Sequence, residues 1–118
     1  METILVVEDD TSLREVLCMV LQTAGFHVLS SDAAEAALPI VAEKRVDCIL
    51  ADFKLGGMNG IDLLRKIRES HPHIPFVLMT AFGSVAVAVE AMKSGANDYI
   101  SKPFEPGALA PMLREVIS

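Results

Sequence analysis

Five short apolar runs punctuate the chain: ILVV at 4–7, HVL at 27–29, CILA at 48–51, FVLM at 76–79 and DYI at 98–100. Each has the length of a strand, and they recur at intervals of about twenty to twenty-five residues. Between them the period changes to that of a helix. Leu13, Val16, Leu17, Val20 and Leu21 fall at i, i+3, i+4, i+7 and i+8 and predict one apolar stripe. Leu64 and Ile67 repeat the pattern in a third helix, and Leu109, Met112, Leu113, Val116 and Ile117 in a fifth. In the fourth, the same spacing predicts that Val85, Ala88, Val89 and Met92 face inward, while Val87, with Ala86 and Ala91, carries apolar character onto outer faces. Strands apolar throughout, rather than at alternate positions, are covered on both sides. With β and α alternating, this predicts an α/β chain, (βα)5, with a parallel sheet between two helical layers.

Helix ends are marked as well. Acidic, amide and hydroxyl side chains at Asp10 to Ser12, Asp32 and Asn59 predict starts, and Gly25 and Gly95 predict stops. Pro39 and Pro111 lie inside the second and fifth helical patterns, where the ring removes a donor and clashes one turn back. Those helices are predicted to kink or start late. For Pro111 a late start fits, because Pro106 and Gly107 already weaken the preceding turn.

Length and composition narrow the function. At 118 residues, 52% of them hydrophobic, residues 1–118 make one domain with a core of its own, which excludes both a multidomain enzyme and wholesale disorder. Six aromatic residues and a net charge of -6 argue against direct nucleic-acid binding, since phosphate backbones attract basic surfaces and bases stack on aromatic rings. No apolar run reaches membrane-spanning length and no basic segment precedes ILVV, so a cytoplasmic location is expected. Cys18 and Cys48, among aliphatic neighbours, read as core thiols.

In an open parallel sheet, ligands bind beyond the carboxyl ends of the strands. Glu8, Asp9 and Asp10 follow the first strand, Asp52 the third, Thr80 the fourth and Lys102 the fifth; Ser30 and Ser31, after the second, offer nothing distinctive. Carboxylates converging on one edge repel unless a cation joins them, and oxygen donors without His or Cys suit a hard ion, Mg2+. Lysine and hydroxyl across the crevice suit a phosphoryl group. Glu8, Asp9 and Asp52 bring three negative charges, which Mg2+ and Lys102 together balance. Asp10, opening the first helix, reads as a cap. His71 and His73 flank Pro72 and read as polar loop residues. Ser12, Cys18 and His27 have no neighbours that would build a nucleophilic triad.

The segments ILVVEDD, LADFKLGGMNG, MTAFGS and DYISKPF, in that order, with 28 residues from Asp52 to Thr80 and 22 more to Lys102, resemble the response-regulator receiver domains of bacterial two-component signalling. The resemblance runs over essentially the whole chain, and TAFGS followed by VEAMKSGANDYISKPF is most similar to receivers of the nitrogen-regulator class. It implies a flavodoxin-like (CheY-like) sheet of order 2-1-3-4-5. It also implies phosphorylation of Asp52 by a sensor histidine kinase, and Mg2+ held by Asp9, Asp52 and the Lys54 carbonyl, with Glu8 acting through water. Thr80 and Lys102 would contact the phosphoryl oxygens, Tyr99 would be the aromatic switch, with core packing as its plainer alternative, and Pro103 would follow a cis peptide. ATPase and DNA-binding domains usually follow such receivers. One departure is Gly56, where the family usually has proline.

A phosphatase or phosphotransferase with an aspartate nucleophile would want a second carboxylate two residues after Asp52, and Lys54 stands there. A pseudo-receiver would have lost part of the acid, threonine and lysine set, and none is lost. A flavin-binding protein of similar topology would need stacking aromatics and a phosphate-cradling loop. The expected protein is a signalling switch, not a turnover enzyme, with an output face on the fourth helix, fifth strand and fifth helix that could pair two copies.

Overall fold

The computed structural model describes residues 1–118. In chain order the elements are β1 (Thr3–Val7), α1 (Thr11–Thr23), β2 (His27–Ser31), α2 (Ala34–Glu43), β3 (Cys48–Asp52), α3 (Gly60–Ser70), β4 (Phe76–Thr80), α4 (Val85–Lys93), β5 (Asp98–Ser101), a 3-10 turn (Pro106–Ala108) and α5 (Leu109–Ile117). All strand pairs are parallel, in the order β2-β1-β3-β4-β5. Both the (βα)5 architecture and the strand order are as expected.

Two apolar layers explain why the central strands read as continuous. Leu5, Val7, Ile49, Ala51 and Leu78 point to one side and meet Ala34, Ala37 and Val41 of α2 and Ile61, Leu64 and Ile67 of α3. Their neighbours Ile4, Val6, Cys48, Leu50, Val77 and Met79 point to the other and meet Leu17 and Leu21 of α1 and Leu109 and Leu113 of α5. Successive strand residues thus alternate between two cores rather than between core and water. The edge strands β2 and β5 are only partly covered.

Helix ends follow local chemistry. Asp10 caps α1, its Oδ1 accepting from the Leu13 N–H at 3.0 Å. Asn59 caps α3 by accepting from the Ile61 and Asp62 N–H groups, and Asp62 accepts in return from the Asn59 N–H. This is a reciprocal capping box. Gly25 and Gly95 close α1 and α4 at φ of 101° and 105°, a backbone region open to glycine.

Four expectations need correction. Asp32 does not cap α2: β2 runs on to Ser31, so the Ser31 hydroxyl reaches the helix entrance, accepting from the Ala33 N–H and donating to its carbonyl. Of the kink and the late start offered for Pro39, the late start does not occur: α2 begins at Ala34, five residues before the ring, and Ala34, Ala37 and Val41, buried on both sides of it, hold the helix on the sheet. Pro111 does coincide with a late start, falling in the first turn of α5, where its missing donor is not needed. In α1, Val16 is exposed, and the buried stripe turns by one position to Leu13, Leu17, Cys18 and Leu21.

The largest correction is in α4. Val85 is 71% exposed and Val89 and Met92 also face outward, while Ala88 and Ala91 are buried and Val87 packs against the core. Small alanines let the helix backbone come close to the sheet, an advantage that a tally of hydrophobic positions does not register. No helix is long and apolar enough to cross a membrane.

Candidate functional site

Parallel register gathers the end-of-strand residues at one edge. Val7 pairs with Ala51, so Glu8 follows level with Asp52; Asp52 pairs with Met79, and Thr80 with Ser101, the residue before Lys102. Residues distant in sequence therefore share one crevice.

Glu8 is 1% exposed and held at every polar atom. Its N–H donates to the Ser31 carbonyl at 3.1 Å, and its carbonyl accepts from Arg14 Nη1 at 2.7 Å. Oε2 accepts from the Asp10 N–H at 3.2 Å and Oε1 from Lys102 Nζ at 3.0 Å. The same ammonium donates to Asp52 Oδ2, also at 3.0 Å. Lys102 thus bridges two buried carboxylates. Asp9 stands beside them in the open, and carboxylate oxygens of Glu8, Asp9 and Asp52 lie within 4.8 Å of one another.

Charge and burial compete here. Burial pushes the Glu8 carboxyl above its ordinary value, helped by the Asp52 charge and opposed by Lys102 and the Asp10 N–H. For Lys102, burial alone would lower the ammonium, but its bonds to Asp52 and Glu8 outweigh that and hold it above the usual lysine range. It stays charged. Three carboxylates facing one ammonium leave two negative charges unbalanced when all are ionised, and all-oxygen donors fit a hard divalent cation such as Mg2+.

Two glycines shape the loop beyond Asp52. At Gly60, the first residue of α3, an added Cβ would lie 2.3 Å from the Asp52 carbonyl oxygen and 2.7 Å from Leu78 Cδ1. The helix therefore starts against the backbone of Asp52. Gly57 has φ of 85° and lies against the Glu35 carboxylate, which also accepts from the Met58 N–H at 3.4 Å. With Leu55 buried, these contacts anchor the loop that carries Lys54 and has Gly56 in place of the usual proline.

Thr80 is 1% exposed, and its hydroxyl is hydrogen bonded to Ser101 Oγ at 3.2 Å. Tyr99 is half-exposed, which removes its core alternative. It borders an apolar cavity of about 330 Å3 with Val85, Val89 and Met92. Phe82 is exposed on the loop after Thr80. The Lys102–Pro103 peptide is cis, as expected. His71 and His73 lie at the far end, before β4, where His71 Nδ1 meets Ser70 Oγ; Glu8, Asp9 and Asp52 are the one cluster with metal-ligand spacing.

Glu8, Asp9, Asp52, Thr80 and Lys102 are thus brought to one edge, with Tyr99 on β5 two residues back from the level of Thr80. Arg14, Gly60 and Ser101 were not singled out from sequence. Gly60 follows its capping asparagine and so carried a faint signal; nothing local marked Arg14 or Ser101.

Residues 4–114 match the family model of the response regulator receiver domain. The chain belongs to that family. It is similar to the response regulator protein FleR of Pseudomonas aeruginosa, 46% identical over 110 residues, which cover 93% of this chain and 23% of FleR. With the DNA-binding transcriptional regulator NtrC of Salmonella typhimurium it shares 36% over 113 residues, covering 96% of this chain and 24% of NtrC. The crystal structure of a receiver domain protein from Clostridium thermocellum superposes with a TM-score of 0.94 at 28% identity, covering 99% of this chain and 94% of that one. The receiver spans about a quarter of the length of FleR and NtrC. It is a signalling module rather than a turnover enzyme.

Proposed function

We propose that residues 1–118 form a phosphoacceptor switch in which Asp52 takes a phosphoryl group from a sensor histidine kinase. The observation that carries this is the carboxylate of Asp52 at the crevice, 3.0 Å from the Lys102 ammonium and grouped with Glu8 and Asp9. An Asp52 oxygen forms the bond to phosphorus as the bond from phosphorus to the histidine nitrogen breaks, and the departing imidazole takes a proton from solvent. Asp9, Asp52 and the Lys54 carbonyl would hold Mg2+, with Glu8 acting through water; the ion would supply positive charge against the transferring phosphoryl group. Lys102 holds a phosphoryl oxygen by charge. Thr80 donates its hydroxyl proton to another, and Tyr99 responds on the neighbouring strand.

Output passes through α4, β5 and α5. Val85, Val89 and Met92 around the Tyr99 cavity support this, because exposed aliphatic side chains grouped on one face mark contact surfaces. FleR and NtrC are longer proteins, and NtrC is a DNA-binding transcriptional regulator, which supports further domains under the control of this switch; we infer a cytoplasmic regulator in which those are ATPase and DNA-binding domains and the receiver itself does not touch DNA. A homodimer through this face is the simplest output. Sedimentation of the phosphorylated receiver should show association at tens of micromolar (about 6–7 kcal/mol) that Val89→Lys abolishes; equal association in that variant would exclude the face.

The acceptor role is tested with acetyl phosphate and Mg2+, borohydride trapping and intact mass. One phosphoryl group is expected on the wild type and none on Asp52→Asn or in EDTA. Undiminished modification in either case would overturn the proposal.

A further inference from the structure

We propose that Ser101 is the resting latch of this switch, its hydroxyl accepting the Thr80 proton until a phosphoryl oxygen takes it away. The inference rests on the phosphoacceptor function proposed above and concerns what holds Thr80 before modification.

Burial decides the direction of the bond. Thr80 is 1% exposed, so water does not reach its hydroxyl freely, and Ser101 Oγ, at 3.2 Å, is the hydrogen-bond partner of that hydroxyl. Ser101 is exposed on edge strand β5 and can give its own proton to solvent, leaving a lone pair for Thr80. A hydroxyl has one proton to donate. A phosphoryl oxygen only accepts, so Thr80 can bond it only by withdrawing its proton from Ser101. The exchange replaces a neutral hydrogen bond by a charge-assisted one, about twice as strong, and that difference drives the switch.

Position carries the consequence outward. Ser101 pairs with Thr80 across β4 and β5, and it lines the same apolar cavity as Tyr99. Release of the latch therefore happens at the wall of the surface that responds. Ser101 is a positioning residue: it touches Thr80, not the phosphoryl group.

Ser101→Ala leaves the Thr80 proton without its resting acceptor. The acetyl phosphate concentration for half-maximal modification of Asp52 should fall about threefold to tenfold, the worth of one neutral hydrogen bond. Iodide quenching of tyrosine emission, which reports Tyr99 alone because the chain has one Tyr and no Trp, should fall toward the phosphorylated wild-type value even without phosphodonor. Ser101→Thr should restore both wild-type values, and in a Thr80→Ala background Ser101→Ala should change neither. A Ser101→Ala protein with wild-type half-point and quenching, or an effect that persists without the Thr80 hydroxyl, would overturn the latch. If the wild type takes no phosphoryl group, the phosphoacceptor function falls. The quenching comparison then still decides the latch, with an unchanged Ser101→Ala signal counting against it.

Discussion

Replacing Lys102 by methionine keeps the length of the side chain and removes the cation between Glu8 and Asp52. Two hydrogen bonds to buried carboxylates, each 3.0 Å long, are lost. Each is worth about 1.5–3 kcal/mol. Part of that sum returns, because the ammonium no longer has to be desolvated. A net loss of about 3 kcal/mol at pH 7 remains, which for a chain of this length lowers the melting temperature by about 12 °C. Without the lysine, the three ionised acids carry three negative charges instead of two net, so Mg2+ should recover much of the loss. Calorimetry of both proteins in EDTA and in 10 mM (about a hundredfold protein excess) Mg2+ measures this. The expected result is a large gap in EDTA and a Mg2+ gain in Lys102→Met several degrees above that of the wild type. Equal melting temperatures in EDTA, or equal Mg2+ gains, would refute Lys102 as the counter-ion of the site.

Three further outcomes are expected. Burial, with a smaller contribution from the Asp47 charge, pushes the Cys48 thiol up to about 12 from its usual 9.0, so the native state holds that proton more tightly and stability is lost as pH rises from 9 to 12. By pH 11 urea unfolding should show about 2–3 kcal/mol more loss in the wild type than in Cys48→Ala, and parallel profiles would contradict it. Gly60→Ala drives a methyl group into the Asp52 carbonyl and should cost about 2–3 kcal/mol in the same assay while slowing phosphoryl uptake. Lys54 and Phe82 offer no carboxylate or amide to polarise a hydrolytic water, so the trapped phosphoaspartate should be long-lived; Lys54→Asn or Phe82→Glu should shorten its lifetime, and if neither does, these side chains do not control hydrolysis.

The acid, threonine and lysine set could be read before any coordinates because each member ends a strand, and parallel strands share a carboxyl edge whatever their order. The supporting residues have no such signature. Ser101 matters because β5 sets it beside Thr80, and Arg14 because α1 turns its guanidinium onto the Glu8 carbonyl. These are contacts across elements, and each residue is locally unremarkable.

The same division runs through the fold. Alternating strand-length and helix-length patterns were enough for (βα)5, since a strand apolar on both sides has to be covered on both sides. Which side of a helix is covered was another matter. In α4 three large hydrophobic residues, Val85, Val89 and Met92, lie outside, and Ala88 and Ala91 lie inside beside Val87, because close approach of the helix to the sheet favours small side chains along the contact line. Pro39 stays within α2 for a related reason: burial of Ala34, Ala37 and Val41 outweighs the local cost of the ring. Period and punctuation are local properties and can be read along the chain. The face a helix buries and the partner a hydroxyl finds depend on distances between elements, and only the packed structure sets those.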